Sequence, residues 1–216
     1  MKHLQEFIHR YWYELGTLLE YNSYRTWQRS EVRNYDSISV TELLWLIIDP
    51  NMNMIKTIHG LAFKAACDYW TQVHDNLEKY FHWEKLPDEP IYKHFRKAII
   101  QNDINILEAE KDYMIDIGLP FPLTAKIDTI IECCDKKGPM DYKTSMKNRN
   151  LVAMKYNIQL EFYKHMSWYS DSWILYLNNK NYNFKETFDC NLIMLDLIEY
   201  AKLLFSEWRV INLYSK

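Results

Sequence analysis

The stretch from Thr124 to Ser145, TAKIDTIIECCDKKGPMDYKTS, constrains the fold of this chain more than any other. It reads as two β-strands joined by a tight turn at DKKGP, where lysines, Gly138 and Pro139 interrupt the apolar pattern. Strand alternation sends residues two apart to the same face, so Asp141 and Lys143 point together and Tyr142 points away. If the strands pair through that turn, Asp128 lies close to the Asp141/Lys143 couple. Neighbouring carboxylates repel unless a divalent cation or a proton sits between them. A lysine beside such an ion can steady an attacking water or a charged phosphate. Asp128, flanked by Ile127 and Ile130, needs such a partner, because an unpaired charge on an apolar strand is costly. The expectation is a solvent-reachable cleft where Asp128, Asp141 and Lys143 converge, suited to metal-assisted phosphodiester hydrolysis.

The rest of the chain supplies helices around these strands. Leu4, Phe7, Ile8, Tyr11, Trp12, Leu15, Leu18 and Leu19 recur at three-and-four spacing and predict an amphipathic helix over residues 2–22. Asn22 to Asp36 carries no clear period. A helix begins near Ser39 or Thr41, where a capping residue precedes an apolar run, and Asp49, Pro50 and Asn51 punctuate the chain. Helical spacing returns from Met54 to Tyr80. Leu86 to Pro90 reads as a linker before a helix over Ile91–Gln101. Ile106 to Ile117 is the first strand of the core, and Pro120 and Pro122 mark a turn. After Ser145 come a loop, a helix from Asn150 to Tyr169, and a strand from Trp173 to Leu177. A turn at Asn178–Asn181, a partner strand from Tyr182 to Thr187 and an amphipathic helix from Cys190 to Trp208 follow. The chain reads as one α/β domain over 1–216, with 1–90 a mostly helical extension and 91–216 the core. The last helix packs on the sheet or on a second subunit, so a homo-oligomer stays open.

With 216 residues the chain can fill one core, and its net charge of −3 argues against a general nucleic-acid coat. It does not exclude one basic groove, and Lys136, Lys137, Lys143, Lys147, Arg149 and Lys155 tip the middle of the chain positive. No apolar run resembles a signal peptide or reaches the ~20 residues of a membrane span. The reading is a soluble protein in the cytoplasm of its cell or of an infected host. Cys67, Cys133, Cys134 and Cys190 show no CxxC spacing, which excludes an ordinary zinc or iron–sulfur site and leaves reduced, partly buried thiols.

Ile127 to Ile130 followed by Asp141, Tyr142, Lys143 and Thr144 resembles the PD-(D/E)XK nuclease superfamily. The similarity is to its RecB-nuclease-like branch, which includes phage, viral and CRISPR-associated exonucleases. That branch carries a Gln-x-x-x-Tyr motif on the next helix, and here Gln159 and Tyr163 stand one turn apart on one face, with Lys155 extending the stripe. The resemblance implies a restriction-endonuclease-like core, a mixed central sheet flanked by helices. It implies Mg²⁺ or Mn²⁺ held by Asp128, Asp141 and the backbone carbonyl of Tyr142, with Lys143 acting on water or phosphate and DNA as the substrate. Gln159 and Tyr163 would buttress the lysine or touch DNA, with Lys155, Lys147 and Arg149 as further DNA contacts. The match runs from about Glu108 to Met166. Two positions depart from the family. Its glycine before the strand aspartate is Ala125 here, and the histidine of its GxxxH motif falls on Lys64, counted from Gly60. The third acidic ligand is then Glu110, or Glu108 on the same face.

His59, His74, His82, His94 and His165 read as satisfied or exposed rather than as ligands, and His9 as exposed. The aromatic residues Tyr11, Trp12, Tyr13, Tyr21, Tyr24 and Trp27 read as core or interface, with stacking on unpaired bases as the alternative. Lys64 favours a second function class, a non-catalytic nucleic-acid-binding or assembly protein that keeps the nuclease fold. An interaction protein of a phage or virus with no DNA partner is the third.

Overall fold

A computed structural model describes residues 2–14, 36–48, 60–144 and 150–214. Lys147, Arg149, His59, Tyr21, Tyr24, Trp27 and the Asp49–Asn51 break lie outside the described residues. The helices are α1 (Lys2–Glu14), α2 (Val40–Ile48), α3 (Gly60–Phe81), α4 (Pro90–Gln101), α5 (Asn150–Ser167) and α6 (Asn191–Tyr214). The strands are β1 (Ile38–Ser39), β2 (Asn105–Ile115), β3 (Leu123–Cys133), β4 (Lys136–Lys143), β5 (Trp173–Leu177) and β6 (Tyr182–Glu186). Together they form the expected α/β layout, a mixed central sheet flanked by helices.

Six strands of the described residues share one sheet. β2 lies antiparallel along the whole of β3, from Ile115 against Leu123 to Asn105 against Glu132. The opposite edge of β3 is divided: β1 pairs parallel with Leu123 and Thr124, and β4 pairs antiparallel with Thr129 to Cys133. Ala125 to Asp128 therefore face a gap between two partners. β4 leaves β3 at Met140 and continues to Lys143 paired parallel to β5, which pairs antiparallel to β6. The sheet thus forks at Asp128, and the fork positions the site.

Local chemistry accounts for the elements. At the start of α2, Ser39 and Glu42 form a reciprocal capping box: the Glu42 N–H donates to Ser39 Oγ (3.1 Å), and the Ser39 N–H donates to Glu42 Oε2 (2.9 Å). Pro90 opens α4, where a missing N–H costs nothing. One core packs α1, α2, α5 and α6 around Leu43, Ile47, Ile127, Ile158 and Phe205; the other packs α3 and α4 around Val73, Leu77, Phe95, Met140 and Leu175. The first ninety residues, expected as an extension, thus give β1 to the sheet, α1 and α2 to one core and α3 to the other.

The turn joining β3 to β4 is not at DKKGP. It is the two-residue turn Cys134–Asp135, both in the left-handed region (φ 53° and 62°), with Lys136 to Pro139 inside β4. Gly138 is there for space: a Cβ would stand 1.8 Å from the carbonyl oxygen of Asp171. The four cysteines are free thiols, two buried and two exposed.

Candidate metal centre

Beyond Thr129 and Met140 the ladder between β3 and β4 stops, and a side chain replaces it. The Tyr142 N–H donates to Asp128 Oδ2 at 2.7 Å. The other oxygen, Asp128 Oδ1, lies 3.2 Å from His74 Nδ1 on α3. The pairs Ala109–Thr129 and Lys111–Ile127 put Glu110 of β2 across from Asp128. Glu110 has a left-handed backbone (φ 51°), a conformation that costs a non-glycine residue on the order of 1 kcal/mol and is held by the pairing on either side. His74, Glu110 and Asp128 each bring a ligand atom within 4.8 Å of the others. His74 Nε2 is buried and has no hydrogen-bond partner among the described residues. An imidazole and two carboxylates suit a hard or borderline divalent cation, and the orphaned ring nitrogen fits a ligand that the protein itself does not supply.

Trp70 contacts the His74 ring at a tilt of 46° with centroids 4.1 Å apart, and Tyr142 meets it edge-on at 5.6 Å. Burial pulls the His74 pKa down, but the charge and hydrogen bond of Asp128 outweigh it and the net shift is upward. Burial likewise pushes Asp128 up, yet His74, Lys143 and the Tyr142 N–H hold its pKa below the usual carboxylate range. Glu110 forms an ion pair with Lys126.

A second half of the site lies against α5. Asp141 and Lys143, on one face of β4 as alternation requires, form an ion pair. The ammonium donates to Gln159 Oε1 (3.3 Å) and sits 4.6 Å from the centre of the Tyr156 ring. Gln159 Nε2 donates to Tyr163 Oη (2.6 Å) and to Thr41 Oγ1 (3.3 Å), so helix spacing on α5 and a residue of α2 together aim its carbonyl at the lysine. Burial pushes the Asp141 carboxyl up to about 6, with Lys143 pulling it down and Asp128 pushing it further up. For Lys143 burial acts downward, and the Asp141 charge overrides it to raise the pKa. Asp128 and Asp141 thus feel each other's charge across the fork, but they belong to two contact sets joined through the backbone of Tyr142.

One expectation is corrected, that of an open cleft. The site is largely closed: the side chains of Asp141, Lys143, Asp128 and Glu110 keep only 4%, 11%, 12% and 13% exposure, with α5 lying over the first two. Among the described residues the histidine that lies with Glu110 and Asp128 is His74, which reads in sequence as satisfied or exposed and whose Nδ1 is held by Asp128. Lys64, where the family spacing put that ligand, is an exposed residue nearer the start of the same helix. Of the two glutamates, Glu108 pairs with Lys111 and Glu110 joins His74 and Asp128. Lys155 is half-buried on α5, one turn before Gln159, and the imidazole of His165 approaches Asn191 (3.3 Å) at the far end of that helix. His82 is exposed and His94 half-buried.

No family model matches the chain, and no curated protein matches its sequence. Among solved structures it is similar to the crystal structure of SSO0001, with a TM-score of 0.49 and 15% identity over 84% of this chain and 82% of that one. It is also similar to an alkaline exonuclease, LHK-Exo, from Laribacter hongkongensis, with a TM-score of 0.42 and 10% identity over 67% of this chain and 81% of that one. Among the described residues, no helix is long and apolar enough to cross a membrane.

Proposed function

We propose that this chain is a Mg²⁺- or Mn²⁺-dependent deoxyribonuclease that hydrolyses phosphodiester bonds in recombination, repair or genome processing. The observation that carries the reading is the fork itself: it brings His74, Glu110 and Asp128 to one side of the Tyr142 backbone and the Asp141/Lys143 pair to the other. His74, Glu110 and Asp128 would hold the cation, and Asp141 and the Tyr142 carbonyl are the further oxygen donors the reading assigns to it. When bound, such an ion would lower the pKa of a water and neutralise charge on the phosphate. Lys143 stays protonated beside Asp141 and places a fixed positive charge where negative charge develops on the phosphoryl oxygens. Gln159 and Tyr163 keep the ammonium aimed, and Lys147, Arg149 and Lys155 offer contacts to the DNA backbone.

Cleavage of a supercoiled plasmid or a labelled oligonucleotide in Mn²⁺ tests this, comparing the native chain with Lys143→Ala and Asp141→Ala. Loss of cleavage in both variants is expected, and equal cleavage by all three removes the assignment. The burial of Asp141 and Lys143 favours a second reading, a non-catalytic nucleic-acid-binding or assembly protein with the same fold. DNA binding indifferent both to metal and to Asp128→Ala selects that reading.

A further inference from the structure

Helix α3 changes character along its length. From Lys64 to Gln72 its residues are exposed, and burial begins only at Val73, His74 and Leu77. Trp70 lies at this boundary, four residues before His74 and on the same helical face. Its indole contacts the His74 ring at a 46° tilt with centroids 4.1 Å apart, yet the residue keeps 39% exposure. Leaving a tryptophan this open keeps apolar surface in water, which is unfavourable. The indole borders the candidate metal centre, since the imidazole it contacts bonds Asp128 directly.

Resting on the deoxyribonuclease reading, we propose that Trp70 is a stacking platform for an unpaired base next to the phosphate being cleaved, and that it selects single-stranded DNA or frayed ends. A base still inside a duplex has both faces covered by its neighbours and cannot offer one to the indole. An unpaired base can, and base–aromatic stacking is indifferent to sequence because every base has a π-face. A phosphate at Asp128 and Glu110 carries its own nucleoside within reach of the indole, because only the His74 ring separates Trp70 from Asp128. Trp70 would therefore act on the choice of strand and not on the chemical step.

The test is the affinity of fluorescein-labelled oligothymidylate and of a blunt-ended duplex, measured in Ca²⁺ for the native chain, Trp70→Leu and Trp70→Phe. Leucine keeps an apolar cover over His74 but removes the ring, whereas phenylalanine keeps a ring. Trp70→Leu should bind oligothymidylate about 5- to 150-fold more weakly, the equivalent of one stacked base. Its duplex affinity and its calorimetric Mn²⁺ affinity should stay near native, and Trp70→Phe should fall between. Equal weakening on both DNAs, a parallel loss of Mn²⁺ affinity, or no weakening at all each overturn the platform. These results leave the nuclease reading standing as long as the native chain cleaves DNA. A native chain that neither binds nor cleaves either DNA in metal instead overturns the nuclease reading, and the platform with it.

Discussion

Replacing Lys143 by methionine should expose how strongly the pair at the fork depends on its lysine. In the native fold the Asp141 carboxyl titrates at about 6 against an ordinary value of 3.8, even with the ammonium beside it. At 1.36 kcal/mol per unit, the folded state resists ionising Asp141 by about 3 kcal/mol. A carboxylate raised in this way loses stability as pH climbs from 3.8 to about 6, and the penalty is complete above that window. Without Lys143, which pulls the value down, Asp141 stays protonated to higher pH and the penalty keeps growing. Measured at pH 8, two units above the native value, the added loss reaches about 3 kcal/mol, at the low end of what breaking a buried ion pair costs. At pH 5 the carboxyl is mostly protonated in both proteins, and the loss should be near zero. The assay is urea unfolding in EDTA, so that no cation shares the site, at the two pH values. The double variant Asp141→Asn/Lys143→Met, which buries no charge, should recover most of the loss at pH 8. An equal loss at pH 5 and pH 8, or no recovery in the double variant, would refute the reasoning.

Other consequences are quicker to check. His74→Ala should weaken Mn²⁺ binding by calorimetry by at least about tenfold, while Lys64→Ala leaves it unchanged. Cleavage in Mn²⁺ should rise from pH 5 to pH 8, because Asp141 must lose a proton that it holds up to about pH 6; a flat profile contradicts its role. Gly138→Ala should lower the melting temperature by roughly 6–12 °C or prevent folding, since the new methyl would overlap the Asp171 carbonyl at 1.8 Å and overpacking of this kind costs about 3 kcal/mol or more. Replacing Cys134–Asp135 by Asn-Gly should stabilise the hairpin by on the order of 1 kcal/mol, read by urea unfolding, because that dipeptide takes the left-handed turn without strain.

The parts of the molecule governed by a short period were legible in the sequence. Alternation placed Asp141 with Lys143, helix spacing placed Gln159 with Tyr163, and a capping residue at Ser39 or Thr41 before an apolar run marked the start of α2. What escaped depends on tertiary context. Gly138 and Pro139 look like turn residues, but the glycine is needed for the close approach of the Asp171 backbone, and Pro139 precedes the point where β5 begins to pair. The actual turn uses two residues with no turn preference as strong as Asn-Gly, so its left-handed geometry left no trace in composition. β1 is two residues long, too short for any periodicity. His74 was the costliest omission. Counting from Gly60 led to Lys64, and only the fold brings the later histidine against Asp128. The signal available was Trp70 four residues before His74, an aromatic–imidazole pair on one helical face beside the buried Val73 and Leu77.

The central claim is spatial: a divalent cation binds at the fork, among His74, Glu110 and Asp128. Crystals grown with Mn²⁺ and measured at the manganese absorption edge test it directly. The account predicts an anomalous peak in contact with all three side chains, absent from Asp128→Ala. A peak elsewhere on the molecule, or none while His74 Nδ1 still faces Asp128 as it does here, would contradict it.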